Sequence, residues 1–380
     1  MRILIVGAGV SGATLARSLA DAGNPVRVVE AKPHPGGHCH TERDARTGIM
    51  KHAFGPHIFH SDDMDVWSFV SRFAEFRPFA LEVKANVAGR LFSLPINLNT
   101  LNQFFGRQFT AEDAQAHIRN LSVPLDHDPR NFEEQAISSI GEALYNAFFK
   151  GYTQKQWGRP PDQLPADIFK RLPLRFTKDN NYFHHSRIGI PQEGYTALVE
   201  KMLRHPLITV EYDTKFRRDG GDHEFDQVFY TGGLDAFFNF EFGRLPYRSL
   251  RFEDFIVTGD FQESAIVTYP DPEVPYTRIS EHKKFAPWET HEKSLCSREF
   301  SFECGENDVP FYPVNLAAGS ALLDRYRYEA TQLRNVSFVG RLATFKYLDM
   351  DVAIGQARHA AAVTIGCLTT DLPVPAFFQP

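Results

Sequence analysis

Only four cysteines occur in the 380 residues, Cys39, Cys296, Cys304 and Cys367. None forms a C-x-x-C pair, so neither a disulfide framework nor a structural zinc site is expected, and a reducing, cytoplasmic setting is the simplest expectation. No apolar run approaches the roughly 20 residues a membrane span requires. The apolar stretch after Arg2 imitates a secretory leader, but glycines at fixed offsets within it offer a better explanation. Basic charge is not in excess either: 41 Lys+Arg stand against 47 Asp+Glu, a net charge of −6. That argues mildly against a nucleic-acid binder, which would need a broad basic face. Internal repeats and low-complexity linkers are also missing.

What is present in surplus is aromatic, with 34 Phe in a chain that is 13% Phe, Trp and Tyr. Such a surplus fills cores and also lines sites that stack planar rings. The chemistry starts at the N-terminus. Residues 2–6 form a short β-branched run, the pattern of a strand buried on both faces. Gly7-Ala8-Gly9-Val10-Ser11-Gly12 follows, then a helical stretch over 13–22, a Gly23-Asn24 stop and a second strand over 26–29 ending at Glu30. Gly7 permits the tight turn, Gly9 lets the backbone approach a pyrophosphate, and Gly12 lets the helix pack on the strand. The helix N-terminus offers N–H groups to phosphate, and Glu30 suits a ribose. A second glycine pair, in the KPHPGG of residues 32–37, resembles the extension of amine-oxidase-like FAD proteins. Strands over 226–233 and 336–340, and a helix from about Met350 to Thr364, complete the cofactor unit.

The expected class is α/β. A discontinuous Rossmann-like FAD-binding domain (1–65, 205–240 and 330–380) surrounds a helical insertion with a mobile lid loop (81–180). A small antiparallel β-sheet substrate domain (66–80, 181–204 and 241–329) completes the chain. Residues 131–150 read as one amphipathic helix, and 262–269 and 274–282 as antiparallel strands. His57 and His60, helped by His52, suggest a metal, but carboxylates at matching spacing are missing, and no metal is expected. Between Lys150 and Arg187 eight Lys/Arg face three Asp, punctuated by Gly, Pro and Asn. This basic stretch is either a solvated surface or a lid that brings cations and rings to a nucleotide. Tyr276, Tyr312 and Tyr347 each sit beside a charged or turn-forming residue.

In order, GAGVSG, GPHIFH, LPINLNT, EEQAISSIG, GYTQKQWG, KRLPLRF, DNNYF, VPYTR, FYPV and GRLATFKYLDM make the chain resemble the bacterial UDP-galactopyranose mutases from Met1 to about Cys367. The resemblance implies a three-domain FAD protein that interconverts the pyranose and furanose forms of a UDP-sugar without net oxidation. In that chemistry N5 of reduced FAD displaces UDP and forms a covalent sugar adduct, and the sugar's 4-hydroxyl closes the smaller ring. It implies Arg171 and Arg278 against the pyrophosphate, where preorganised cations assist UDP departure. It further implies Tyr312 and Tyr347 as phosphate donors, Tyr152 stacked on uracil, Trp157 and Tyr182 lining the site, and Phe148 and Thr153 beside the uridine. His57 and His60 would lie along the flavin face as catalytic residues. The FAD contacts would come from Gly7, Gly9, Ser11, Gly12, Glu30, Ala31, Gly37, His38, Gly340, Arg341, Asp349 and Met350, with Asp349 and Thr268 also facing substrate. A reductant such as NAD(P)H or a reductase, and a homodimer, belong to the same expectation.

The chain departs from that family's pattern in four places. His38-Cys39-His40 replaces Asn-Ala-Tyr, Ala53-Phe54-Gly55 replaces Lys-Tyr-Gly, Ser186-Arg187-Ile188 replaces Arg-Tyr-Gln, and Thr268 replaces Asn. These positions bear on which hexose is carried, and retention of His60 leans toward galactose. Two other classes share the cofactor domain: a redox flavoenzyme of the amine-oxidase or desaturase type, and a flavin-dependent UDP-binding protein without activity.

Overall fold

The computed structural model describes residues 2–171, 174–218, 224–314 and 317–378, without the side chains of 170–171 and 317–320. Five short strands pair in parallel in the order Ile208–Glu211, Val26–Val29, Ile3–Val6, Gln227–Tyr230 and Val336–Phe338. Counted along the chain this order is 3-2-1-4-5, that of doubly wound dinucleotide-binding sheets. The apolar run is unbroken because the sheet is covered on both sides: Ile3 and Ile5 feed one core and Leu4 the other. On the first side the helix Val10–Asp21 packs against the helices Gly194–Leu203 and Met350–Thr370. On the second, Leu323, Tyr326 and Ala330 of Ala317–Thr331 close the core.

A seven-stranded sheet carries Thr268, Arg278, Glu299 and Tyr312. Its order is Tyr312–Pro313, Tyr247–Thr258, Lys293–Glu303, Arg278–Glu281, Ile266–Thr268, Val83–Val87 and Arg90–Leu94. The long antiparallel pair Tyr247–Thr258 and Lys293–Glu303 is its spine. Register sets Thr268 opposite Arg278 and Arg278 opposite Glu299, three side chains in one row across the sheet. A smaller sheet, Phe59–Ser61, Arg187–Pro191 and Phe76–Pro78, links the two larger units. The helices Leu98–Phe105, Ala111–Leu121, Phe132–Ile140 and Gly151–Trp157 gather around a third core built on Phe92, Phe132, Tyr145, Phe148 and Phe169.

Four expectations need correction. Residues 83–94, assigned to the helical insertion, form a hairpin that extends the large sheet. Val83–Val87 joins it in parallel, pairing Val83 with Ile266, so this sheet is mixed rather than antiparallel. Residues 194–203, assigned to the sheet domain, form a helix whose Tyr195, Leu198, Val199 and Met202 pack into the core of the parallel sheet. The single helix expected over 131–150 breaks at Gly141, which takes φ 79°. A Cβ there would lie 2.7 Å from the Leu121 carbonyl, so the close approach of two chain segments, not the amphipathic pattern, decides the path.

Candidate active site

The glycine loop leaves a cradle that side chains would fill. Gly7 turns at φ 105°, and a Cβ on it would meet Thr231 Oγ1 at 2.1 Å. A Cβ on Gly12 would meet the Gly7 carbonyl at 2.0 Å, so the helix packs directly on its own entry loop. Gly9 bridges Gly36, the Gly36 N–H donates to the Ala8 carbonyl at 2.9 Å, and a Cβ on Gly37 would approach the Gly9 Cα to 3.1 Å. The helix N-cap Gly9 brings no side-chain acceptor, leaving the first-turn N–H groups to a ligand. Ser11 is buried and lies against Gly340, whose φ of 94° brings the turn after the last parallel strand onto that helix. The Glu30 carboxylate accepts from the Ala8 N–H at 2.7 Å and the Lys32 N–H at 2.9 Å, which anchors the end of the second strand. Ala31 follows, exposed at the rim. A second helix start, at Met350, also lacks a side-chain cap, and its N-cap Asp349 is exposed.

Facing this cradle, the large sheet presents Arg278 paired with the buried Glu299, through Nε and Nη2 at 2.7 Å each. Burial works against the guanidinium, but Glu299, with Tyr312 and Tyr152 beside it, more than offsets this and raises the Arg278 pKa. Tyr152, Tyr182 and Tyr312 all lie near Arg278, and burial raises the pKa of each, keeping the phenols protonated as donors. The Tyr312 and Tyr347 rings stack at 5.6 Å, and the Arg341 guanidinium lies 4.9 Å from the Tyr347 ring and 5.8 Å from that of Tyr312. Arg341 Nη2 donates to the Leu348 carbonyl at 2.6 Å, fixing the 341–348 turn. His38 stacks on Phe311 at 4.7 Å, and burial, with the Arg341 charge nearby, brings its pKa to about 3. Burial brings His57 to about 4.

Elements far apart in sequence hold these groups. Lys155 Nζ donates to the carbonyls of Tyr269, Asp271, Val274 and Tyr276 at 2.5, 2.9, 2.8 and 3.2 Å, tying the Tyr152 helix to the loop before Arg278. Gly158, at φ 67°, lies so close to Arg248 that a Cβ would meet Nη1 at 2.3 Å. Arg248 Nε in turn donates to the Gln156 carbonyl at 3.1 Å and satisfies the helix end. Arg175 donates through Nη1 to the Asn181 carbonyl, and through Nη2 to that of Tyr182 at 2.9 Å. Asn97 Nδ2 donates to the Asp179 carbonyl at 3.0 Å, so LPINLNT supports DNNYF from behind.

Not every expected residue converges. Phe148 lies in the π-type turn over Tyr145–Lys150, is 3% exposed and packs on Phe92 and Phe104 in the helical core. Thr153 is buried on the same helix as Tyr152, and Trp157 packs on the edge of that core. Thr268 is buried in the sheet row, its hydroxyl donating to the Lys84 carbonyl at 3.3 Å. His60 stacks on Phe183 at 3.9 Å and faces His185, with Asp349 and Asp62 nearby. The Arg171 side chain lies outside the described residues. Sequence reasoning missed Glu299, Lys155, Arg175 and Arg248. Glu299 would have surfaced only if the cross-strand register of residues 278 and 299 had been known.

The comparisons with known proteins bear on the family and the fold. Residues 147–347 match the family model for UDP-galactopyranose mutase, and residues 5–73 that for an NAD(P)-binding Rossmann-like domain. Over 378 residues the chain is 46% identical to a probable UDP-galactopyranose mutase of Klebsiella pneumoniae, covering 100% of this chain and 98% of that one. It is 44% identical over 370 residues to a dTDP-fucopyranose mutase of Escherichia coli, covering 96% and 98%. A crystal structure of reduced UDP-galactopyranose mutase superposes with a TM-score of 0.77 at 16% identity, covering 96% of this chain and 95% of that one.

Proposed function

The chain belongs to the UDP-galactopyranose mutase family, a family of flavin-dependent enzymes, and from that premise we propose that it interconverts UDP-galactopyranose and UDP-galactofuranose on reduced FAD, without net redox change. The observation that carries the reading is the Arg278–Glu299 pair ringed by Tyr152, Tyr182, Tyr312 and Tyr347 beside a dinucleotide cradle. The cradle fits FAD: Gly9 and Gly37 face each other bare, and two helix N-termini lack side-chain caps. Gly7, Gly9, Ser11, Gly12 and Gly37 would hold its pyrophosphate, Glu30 its ribose, and Gly340, Arg341 and Met350 its flavin end. The chemistry FAD supplies when bound and reduced is a nitrogen nucleophile for the anomeric carbon, the source of the N5 sugar adduct in this reading.

The chain's own residues prepare the leaving group. Arg278 is permanently charged and fixed by Glu299, so it meets the β-phosphate without reorganising as UDP departs. The phenols of Tyr312 and Tyr347 supply neutral donors to phosphate, and Tyr152 the ring for uracil. Arg171 is proposed as the second cation, and His57 and His60 as groups along the flavin face. Asp349 and Thr268 would border the sugar. A reductant such as NAD(P)H or a reductase, a homodimer and a cytoplasmic location follow from the family resemblance and from four free cysteines.

The test is product analysis after incubating dithionite-reduced enzyme with UDP-galactofuranose. Conversion to the pyranose supports the reading, and complete inactivity with bound FAD rejects it. A second reading, a mutase for a 6-deoxyhexose nucleotide, is favoured by the fucopyranose relative at 44% identity and is decided by running dTDP-fucopyranose in the same assay. An amine-oxidase-like redox enzyme shares the cofactor unit but has no use for the phosphate-facing Arg and Tyr cluster.

A further inference from the structure

Behind the Gly55–His57 turn runs a buried chain of side chains to which the reaction assigns no part. We propose that His52 and His282 are positioning residues that seat this turn against the Arg278–Glu299 pair and fix the His57 proton on Nδ1.

The hydrogen bonds determine every tautomer, because a backbone N–H can only donate. The His57 N–H donates to His52 Nδ1 at 3.2 Å, and the His52 N–H donates to His282 Nδ1 at 3.3 Å. Both rings are therefore neutral with the proton on Nε2. His282 Nε2–H donates to Ser297 Oγ at 2.7 Å, and the Ser297 hydroxyl donates to Asp254 Oδ1 at 2.6 Å. Asp254 is held charged by Lys51 at 2.5 Å. His57 is opposite in sense: its Nδ1 lies 2.8 Å from the Gly55 carbonyl, an acceptor, so Nδ1 carries the proton and Nε2 a lone pair.

The chain is a brace and not a proton wire. Two of its links pass through backbone amides, which do not exchange protons along the path. Protonating His52 or His282 at Nδ1 would set two N–H groups against each other, and burial opposes it as well, with His282 at about 4. The brace ends where geometry matters. Gly55 turns at φ 88°, and a Cβ on it would sit 3.5 Å from Arg278 Nη2 and 3.5 Å from Glu299 Oε2. His282 directly follows the strand Arg278–Glu281, so one strand positions the cation at one end and the brace at the other. The consequence for turnover rests on the reading of His57 along the flavin face; the tautomer assignment does not.

The experiment is long-range 1H–15N NMR of flavin-loaded, 15N-histidine-labelled enzyme, with His57, His52 and His282 assigned by substitution. Neutral Nε2–H signals for His52 and His282 between pH 5.5 and 8, and an Nδ1–H signal for His57, are expected. His282→Leu removes the acceptor and should turn the His57 signal into a tautomer mixture, lower kcat about tenfold and leave KM within twofold. His282→Asn returns an acceptor near the Nδ1 position and should restore both. An Nε2–H His57 in the native enzyme overturns the proposal. So does a His57 signal and kcat untouched by His282→Leu, or equal damage from His282→Asn, which would mean packing alone. Should His282→Leu fail to fold, Ser297→Ala, which frees His282 Nε2, takes its place with the same expected His57 response. An enzyme with the expected tautomers but no mutase turnover rejects the function and leaves the brace standing.

Discussion

At the scale of single residues, Arg278 and Glu299 depend on each other. Glu299 is 2% exposed, so its negative charge is tolerable only beside the guanidinium, and the guanidinium is aimed only because Glu299 holds it. Arg278→Ala should lower kcat on the order of 10²–10³, the cost of one removed transition-state donor, measured in the reduced-enzyme assay. It should also lower stability by about 2–4 kcal/mol in urea unfolding, because a buried carboxylate is left alone. Glu299→Gln keeps a hydrogen-bonding group opposite Arg278, whose side chain is 20% exposed and partly solvated, so it should cost less stability than stranding the 2% exposed carboxylate, while UDP, titrated by tryptophan fluorescence, binds at altered affinity. Equal stability losses for the two variants would contradict the charge argument.

At the scale of elements, the helix Gly151–Trp157 acts through its far end. Lys155 grips four carbonyls of the loop leading to Arg278, so Lys155→Met should raise KM for the UDP-sugar about tenfold through displaced Tyr152 and Arg278, read from initial rates. The break at Gly141 is equally specific. Gly141→Ala must either leave φ 79° or press a Cβ on the Leu121 carbonyl, and should cost about 1–3 kcal/mol in thermal or urea unfolding. These two elements also show what local sequence conveys. The first βαβ unit was readable because glycines at those offsets, a buried strand and a closing acid allow almost no other structure. The hairpin at 83–94 was not, since its place depends on Ile266–Thr268, far along the chain. The contacts of Phe148 with Phe92 and Phe104 were not readable, because helical spacing does not reveal the π-type turn it lies in. The tyrosines were found through family motifs; Lys155 and Arg175 lie inside GYTQKQWG and KRLPLRF, but the backbone carbonyls they grip are not legible there, and Glu299 lies in no motif and acts through register.

At the scale of the molecule, the buried histidines couple stability to pH. Burial lowers His38 to about 3 and His57 and His282 to about 4, and places His52 well below its usual value. Between these values and about 6.5 the unfolded chain binds more protons than the native one, so unfolding becomes easier as pH falls. Stability from these groups is complete above about 6.5 and lost as pH drops toward 4, by up to about 1.4 kcal/mol per pH unit for each histidine. Urea midpoints measured from pH 7.5 to 4.5 should therefore fall, and His282→Asn should flatten the curve. A midpoint that stays level or rises over that range would contradict the neutral, buried assignment.

The order of the parallel sheet has a consequence for the growing polypeptide. Ile3–Val6 sits at its centre, between Val26–Val29 and Gln227–Tyr230. Its first neighbour, Val26–Val29, is available almost at once, but its second begins only at Gln227. Until then one edge of the most apolar strand in the protein stays open on the ribosome, as does the edge of Val83–Val87 that waits for Ile266–Thr268. N-terminal fragments should thus be chaperone-dependent and insoluble however well their glycine loop is formed, and the cradle is completed last, when Gly340 arrives against Ser11 and the helix start at Met350 follows.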